Sequence, residues 1–87
     1  MKINPHFVLS KIGDTHCVVP TGSKIVDFNG IIKLNETGKF IWEALASSVD
    51  IDVLISNFAE KFGIDMHTAQ SDVTDFISLL KKNNILE

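Results

Sequence analysis

The chain is poor in the features that announce chemistry or a compartment. Its 87 residues hold a single cysteine, Cys17, which can form no internal disulfide, and no signal peptide precedes the first expected strand. A reducing cytoplasm is therefore the expected location. No apolar run approaches the roughly 20 residues that a membrane span needs, so no membrane partner is expected. Arginine is absent and the eight lysines are scattered except for the Lys81-Lys82 pair, leaving a formal net charge of −3. That balance disfavours nucleic acid, which selects clustered positive charge.

The groups from which active sites are built are equally sparse. His6, His16 and His67 share no metal-ligand spacing with one another or with Cys17, and read as ordinary strand or surface histidines. Cys17 lies inside an expected strand and reads as a small apolar side chain, since nothing nearby supplies the electropositive setting of a reactive thiol. Asp50 and Asp52 resemble a carboxylate pair, but helix capping and first-turn charge account for both. Gly30 and Gly38 make no phosphate loop, because the glycine-rich spacing and the following Lys-Ser/Thr are missing. No metal, no cofactor and no catalytic residue is expected, and these absences point to binding.

What is present is a well-patterned small domain. The length suits one modest core spanning residues 1–87, and a hydrophobic fraction of 45% makes folding without staples plausible. Met1 to Pro5 reads as a frayed end. His6 to Ile12 and Thr15 to Pro20 are rich in β-formers around a Gly13-Asp14 turn, where glycine in the first central position suits type II′. That turn sets Ile12 opposite Thr15, Ser10 opposite Cys17 and Leu9 opposite Val18, with Phe7, Leu9 and Val18 on one apolar face. Pro20 ends the second strand. Thr21 to Asn29 is a connection, with room for a helical turn, pinned by Ile25, Val26 and Phe28.

From Gly30 to Trp42 a short strand passes into a helix. Ile32 and Leu34 lie two apart on one strand face, and Asn35 is placed to cap a helix from Glu36 to Ser47 whose buried stripe is Phe40, Ile41, Ala44 and Leu45. Trp42 points away from that stripe. Asp50 caps a second helix with Ile51, Leu54, Ile55, Phe58, Ala59 and Phe62 inward, stopped by Gly63. Asp65 caps a third, Met66 to Lys82, and Ile85 and Leu86 fold back onto the core. In the third helix Ala69, Val73, Phe76, Ile77 and Leu80 span one arc of about 100°, while Leu79 falls about 60° beyond Phe76, on the side of Asp72. A lone surface leucine is common; a groove wall is the sharper reading.

The segment Asn29-Gly-Ile-Ile-Lys-Leu-Asn-Glu-Thr-Gly-Lys-Phe-Ile-Trp42, with the Leu34-Asn35 junction and Asp72-Val73 followed by Phe76, resembles the PqqD family over nearly the whole chain from about Phe7 to Leu86. These are precursor peptide recognition elements, here similar to the stand-alone form. The resemblance implies an α+β, winged-helix-like fold: a three-stranded antiparallel sheet, made of a hairpin plus a third strand, followed by three helices. It implies a module without catalytic activity that holds the leader of a ribosomally made precursor peptide and presents it to a modifying enzyme, often a radical S-adenosylmethionine enzyme. The leader would add a strand along the third strand at Ile31, Ile32, Lys33 and Leu34 and pack on the third helix at Asp72, Phe76, Leu79 and Asn83.

Strand addition is physically reasonable, because an edge offers directional hydrogen bonds while side-chain pockets discriminate. Lys33 or Lys82 would pair with a leader carboxylate, although exposed pairs contribute only about 0–1 kcal/mol. Against this, about half the apolar side chains of such a strand simply face the core. Two other functions compete. A winged-helix DNA-binding regulator is argued against by the two aspartates and few polar side chains in the first half of the third helix. A structural domain pairing its open edge with another copy predicts self-association, and a monomer or weak homodimer is expected.

Overall fold

The structure, a computed structural model, describes residues 2–21 and 32–86. Strands β1, Phe7–Ile12, and β2, Thr15–Pro20, form a hairpin in the expected register, with Leu9 opposite Val18, Ser10 opposite Cys17 and Ile12 opposite Thr15. Of the two turn residues only Gly13 has a positive φ, 62°, the signature of a type II′ turn, whose twist matches that of the strands it joins. Thr21 extends the pairing by one residue, its backbone N–H donating to the His6 carbonyl at 2.7 Å. The connection expected to hold Ile25, Val26 and Phe28 lies outside the described residues, as does Ile31.

Strand β3, Ile32–Leu34, pairs antiparallel with β2 and completes a sheet of order β1-β2-β3. Val18 stands opposite Ile32 and His16 opposite Leu34. By alternation Ile32 and Leu34 share the core face and Lys33 the other. Leu34 is buried, Ile32 packs half-buried against the core, and Lys33 is exposed.

Three helices follow: α1, Glu36–Ala46; α2, Ile51–Phe62; and α3, Met66–Lys82. Asn35 caps α1, its side-chain oxygen accepting from the Gly38 N–H at 3.0 Å and from the Thr37 hydroxyl at 2.8 Å. The helix ends one residue before Ser47, and the chain leaves it through Ser48 at a left-handed φ of 59°, its N–H donating to the Leu45 carbonyl. Asp50 occupies the cap position of α2 but makes no side-chain cap bond, so the expected cap is corrected: its exposed carboxylate acts on the helix through charge alone. Gly63 closes α2 in the left-handed conformation. Asp65 caps α3 as expected; the Thr68 backbone N–H, donating at 2.7 Å, and then the Thr68 hydroxyl hold its carboxyl below the usual carboxylate range.

One core lies between the sheet and the helices. Its largest fully buried side chains include Phe58, Ile41, Leu54, Leu80 and Ile85. Phe58 meets Phe40 and Phe62 in an aromatic cluster with ring centroids 6.0 and 4.8 Å away, separations at which such pairs attract beyond their burial. The expected stripe of α1 needs amendment: Ile41 and Leu45 are buried, whereas Phe40 and Ala44 are only partly so, and Trp42 is 5% exposed. Trp42 is buried off that stripe, bordering a cavity that Lys2, Ile3 and the β1 residues Phe7, Val8 and Leu9 also line.

Within the end expected to fray, Ile3 and Asn4 are tied to the other end of the chain. Ile3 forms an antiparallel bridge with Leu86, the Asn4 N–H donates to the Ile85 carbonyl at 2.7 Å, and the Asn4 side-chain amide donates to the Asn84 carbonyl. Asn84, at a φ of 59°, turns the chain after α3 so that Ile85 and Leu86 are buried as expected. Among the described residues no helix is long and apolar enough to cross a membrane, and no three His, Cys, Asp or Glu side chains gather to hold a metal ion. Cys17 is a buried free thiol.

Candidate functional site

A groove runs between β3 and α3, with the start of α1 at its base. It consists of two open cavities of about 420 and 410 Å³ that share Asn35, Gly38, Phe76 and Leu79. Ile32, Lys33 and Leu34 line the strand side; Thr37, Asp72 and Asp75 line the other, over Ile41 and Phe58.

Local sequence places each wall. On α3, Asp72, Asp75, Phe76 and Leu79 recur at i, i+3, i+4 and i+7 and therefore form one stripe. It runs beside the buried stripe of Ala69, Val73, Ile77 and Leu80. Phe76 sits on the boundary, half-buried, and Leu79 is 42% exposed. The off-stripe leucine thus lies on a groove wall in company with an aromatic ring.

On the strand side the useful groups are backbone. Among the described residues β3 is hydrogen-bonded to β2 and to no other strand, so it is an open edge of the sheet. In an antiparallel ladder the backbone groups of successive residues alternate between the two sides. Either Lys33, or Ile32 and Leu34 together, therefore direct both N–H and C=O to the open side.

The groove is also polarised. Asp72 and Asp75 are exposed and, among the described residues, make no ion pair, while Lys33 stands at the strand end. Like charges three apart on a helix repel by a few tenths of a kcal/mol, so a cationic group seated between these carboxylates removes a small existing penalty.

The residues expected to act together divide accordingly. Ile32, Lys33, Leu34, Phe76 and Leu79 line one cavity, and Asp72 joins Phe76 and Leu79 in the adjoining one. Lys82 and Asn83 line neither. Lys82 is exposed in the last turn of α3, and the Asn83 side-chain amide is committed to the Leu79 carbonyl at 2.9 Å, closing the helix end. Ile31 lies outside the described residues. Sequence reasoning missed Asn35, Thr37, Gly38 and Asp75 as lining residues. Asp75 was within reach, being three after Asp72 and four before Leu79; nothing local signals that Gly38 faces α3.

The comparison with curated proteins gave no match. Among solved structures, TbiB1 in complex with the TbiA(beta) leader peptide is similar in fold, with a TM-score of 0.81 at 22% sequence identity, over 100% of this chain and 95% of that one. A three-stranded antiparallel sheet followed by three helices is the arrangement the sequence resemblance implied. The family model described as Coenzyme PQQ synthesis protein D (PqqD) matches residues 18–86, from the second half of β2 through β3 and all three helices, and this chain belongs to that family.

Proposed function

We propose that this chain is a non-catalytic module that captures the leader of a ribosomally made precursor peptide and presents it to a modifying enzyme, the radical S-adenosylmethionine class being the one the family resemblance favours. The observation that carries this reading is an edge of β3 that no other described strand covers, running beside an apolar groove. An extended leader pairs with the outward backbone groups of β3, each hydrogen bond contributing a net of about 0.5–1.5 kcal/mol whatever the peptide sequence. Its alternate side chains then reach Phe76 and Leu79, where an apolar anchor supplies most of the affinity. The similarity of fold to a protein solved with a leader peptide supports the same reading.

Charge tunes the choice. Asp72 and Asp75 favour a Lys or Arg in the leader near the anchor, and Lys33 favours an acidic residue on the strand side, each exposed pair adding about 0–1 kcal/mol.

The test is a titration of the ¹⁵N-labelled chain with synthetic peptides, each spanning the leader of a ribosomally made precursor. Backbone resonances of Ile32–Leu34 and of α3 from Asp72 to Leu79 should move together and saturate. Spectra unchanged there at a large peptide excess would reject the proposal.

A further inference from the structure

Gly38 has no backbone reason to be glycine. It lies in the first turn of α1, outside the left-handed region that Gly13 and Gly63 occupy, and alanine is the better helix former. Its role is close approach. A Cβ at this position would lie 3.2 Å from Phe76 Cε1, 3.4 Å from Leu34 Cδ2 and 3.5 Å from Asn35 Oδ1. The first distance is tighter than ordinary van der Waals contact; the other two are not.

The three neighbours differ in their freedom to yield. Leu34 is buried in the core, and Asn35 Oδ1 is held by two hydrogen bonds. Phe76 is half-buried and borders the groove. A Cβ at position 38 would therefore lift the Phe76 ring outward, and because that ring lines both cavities, it would make the whole groove shallower.

Resting on the peptide-binding reading above, we infer that Gly38 sets the depth of the groove by letting Phe76 lie against α1. Gly38 is thereby the positioning residue that selects a bulky apolar anchor, an aromatic or a branched aliphatic side chain. The strand-side cavity that receives the anchor has Ile32, Leu34, Phe76 and Leu79 as its apolar lining.

The experiment compares the full-length chain with Gly38→Ala. The probes are one of those synthetic leaders and versions of it in which each large apolar residue in turn is cut to alanine, with affinities read by fluorescence anisotropy and folding by circular dichroism. A methylene-sized change in an apolar pocket is worth roughly 10–200-fold. Gly38→Ala should bind the parent leader at least about tenfold more weakly, yet match the wild type within about twofold for the leader whose anchor is shortened. An equal loss for both peptides would assign Gly38 to folding alone and overturn the inference, as would an unchanged affinity for the parent leader. A wild-type chain that binds no leader fails the peptide-binding reading itself, and the inference with it. Should Gly38→Ala not fold, the Gly38→Ala/Phe76→Leu double variant has room for the Cβ. It should bind within about threefold of Phe76→Leu alone, and a tenfold deficit would contradict the proposed depth control.

Discussion

Replacing Phe58 with alanine will destabilise the chain by about 3–5 kcal/mol, the usual cost of emptying a fully buried aromatic site. Phe58 is 1% exposed and central to the cluster with Phe40 and Phe62. It also lies beneath the groove beside Ile41. A small domain has only about 5–15 kcal/mol to lose, so thermal unfolding should shift down by roughly 15–30 °C. Phe40→Ala, at a partly buried position, should cost distinctly less. A Phe58→Ala loss below about 1 kcal/mol in a denaturant titration would mean that the helices do not depend on this cluster.

The second large effect separates binding from folding. Leu79→Asp should leave the melting temperature within a few degrees of the wild type, because an exposed helix position away from the core tolerates exchange within about 0.5 kcal/mol, with a few tenths more from repulsion by Asp75 four residues earlier. The same change puts a carboxylate where both cavities meet an apolar wall. Loss of an anchor contact of about 2 kcal/mol corresponds to a roughly 30-fold weaker complex with the leader peptide. Binding that survives Leu79→Asp intact, measured by anisotropy, would move the anchor away from α3.

How far the fold was legible depended on the range of the interactions concerned. The hairpin register followed from Gly13-Asp14 and a period of two, and the caps at Asn35 and Asp65 from a capping residue directly before each helical period, because all of these are local. Trp42 was placed off the stripe but left unexplained, because the residues that share its cavity, Lys2, Ile3 and Phe7 to Leu9, lie more than thirty positions upstream. The N-terminal residues were misread for the same reason: Asn4 is tied to Asn84 across a separation of 80 residues. Asp50 shows the opposite limit, since a residue type suited to capping took the position without making the bond.

The site divides along the same line. Helical phase alone put Asp72, Phe76 and Leu79 on one wall, and strand alternation put Ile32 and Leu34 on one face. Phase could not show that Asn83 spends its side chain on closing α3, nor that Lys82 stands beyond the groove. Gly38 was invisible because its importance is a distance to a ring 38 positions later. A glycine in a helix start has many explanations until that neighbour is known.

Strand addition to β3 is the central claim, and an N-methylation scan of the leader tests it most directly. Each backbone N–H of the synthetic peptide is replaced in turn by N–CH₃, which removes one donor and leaves the side chain unchanged. Because the backbone groups of successive strand residues face opposite sides, affinity should fall by about tenfold or more where the leader donates to β3 and hardly at all at the adjacent positions. An alternating profile along the segment facing Ile32–Leu34 is the predicted result. A flat profile, with no position more sensitive than its neighbours, would contradict the account.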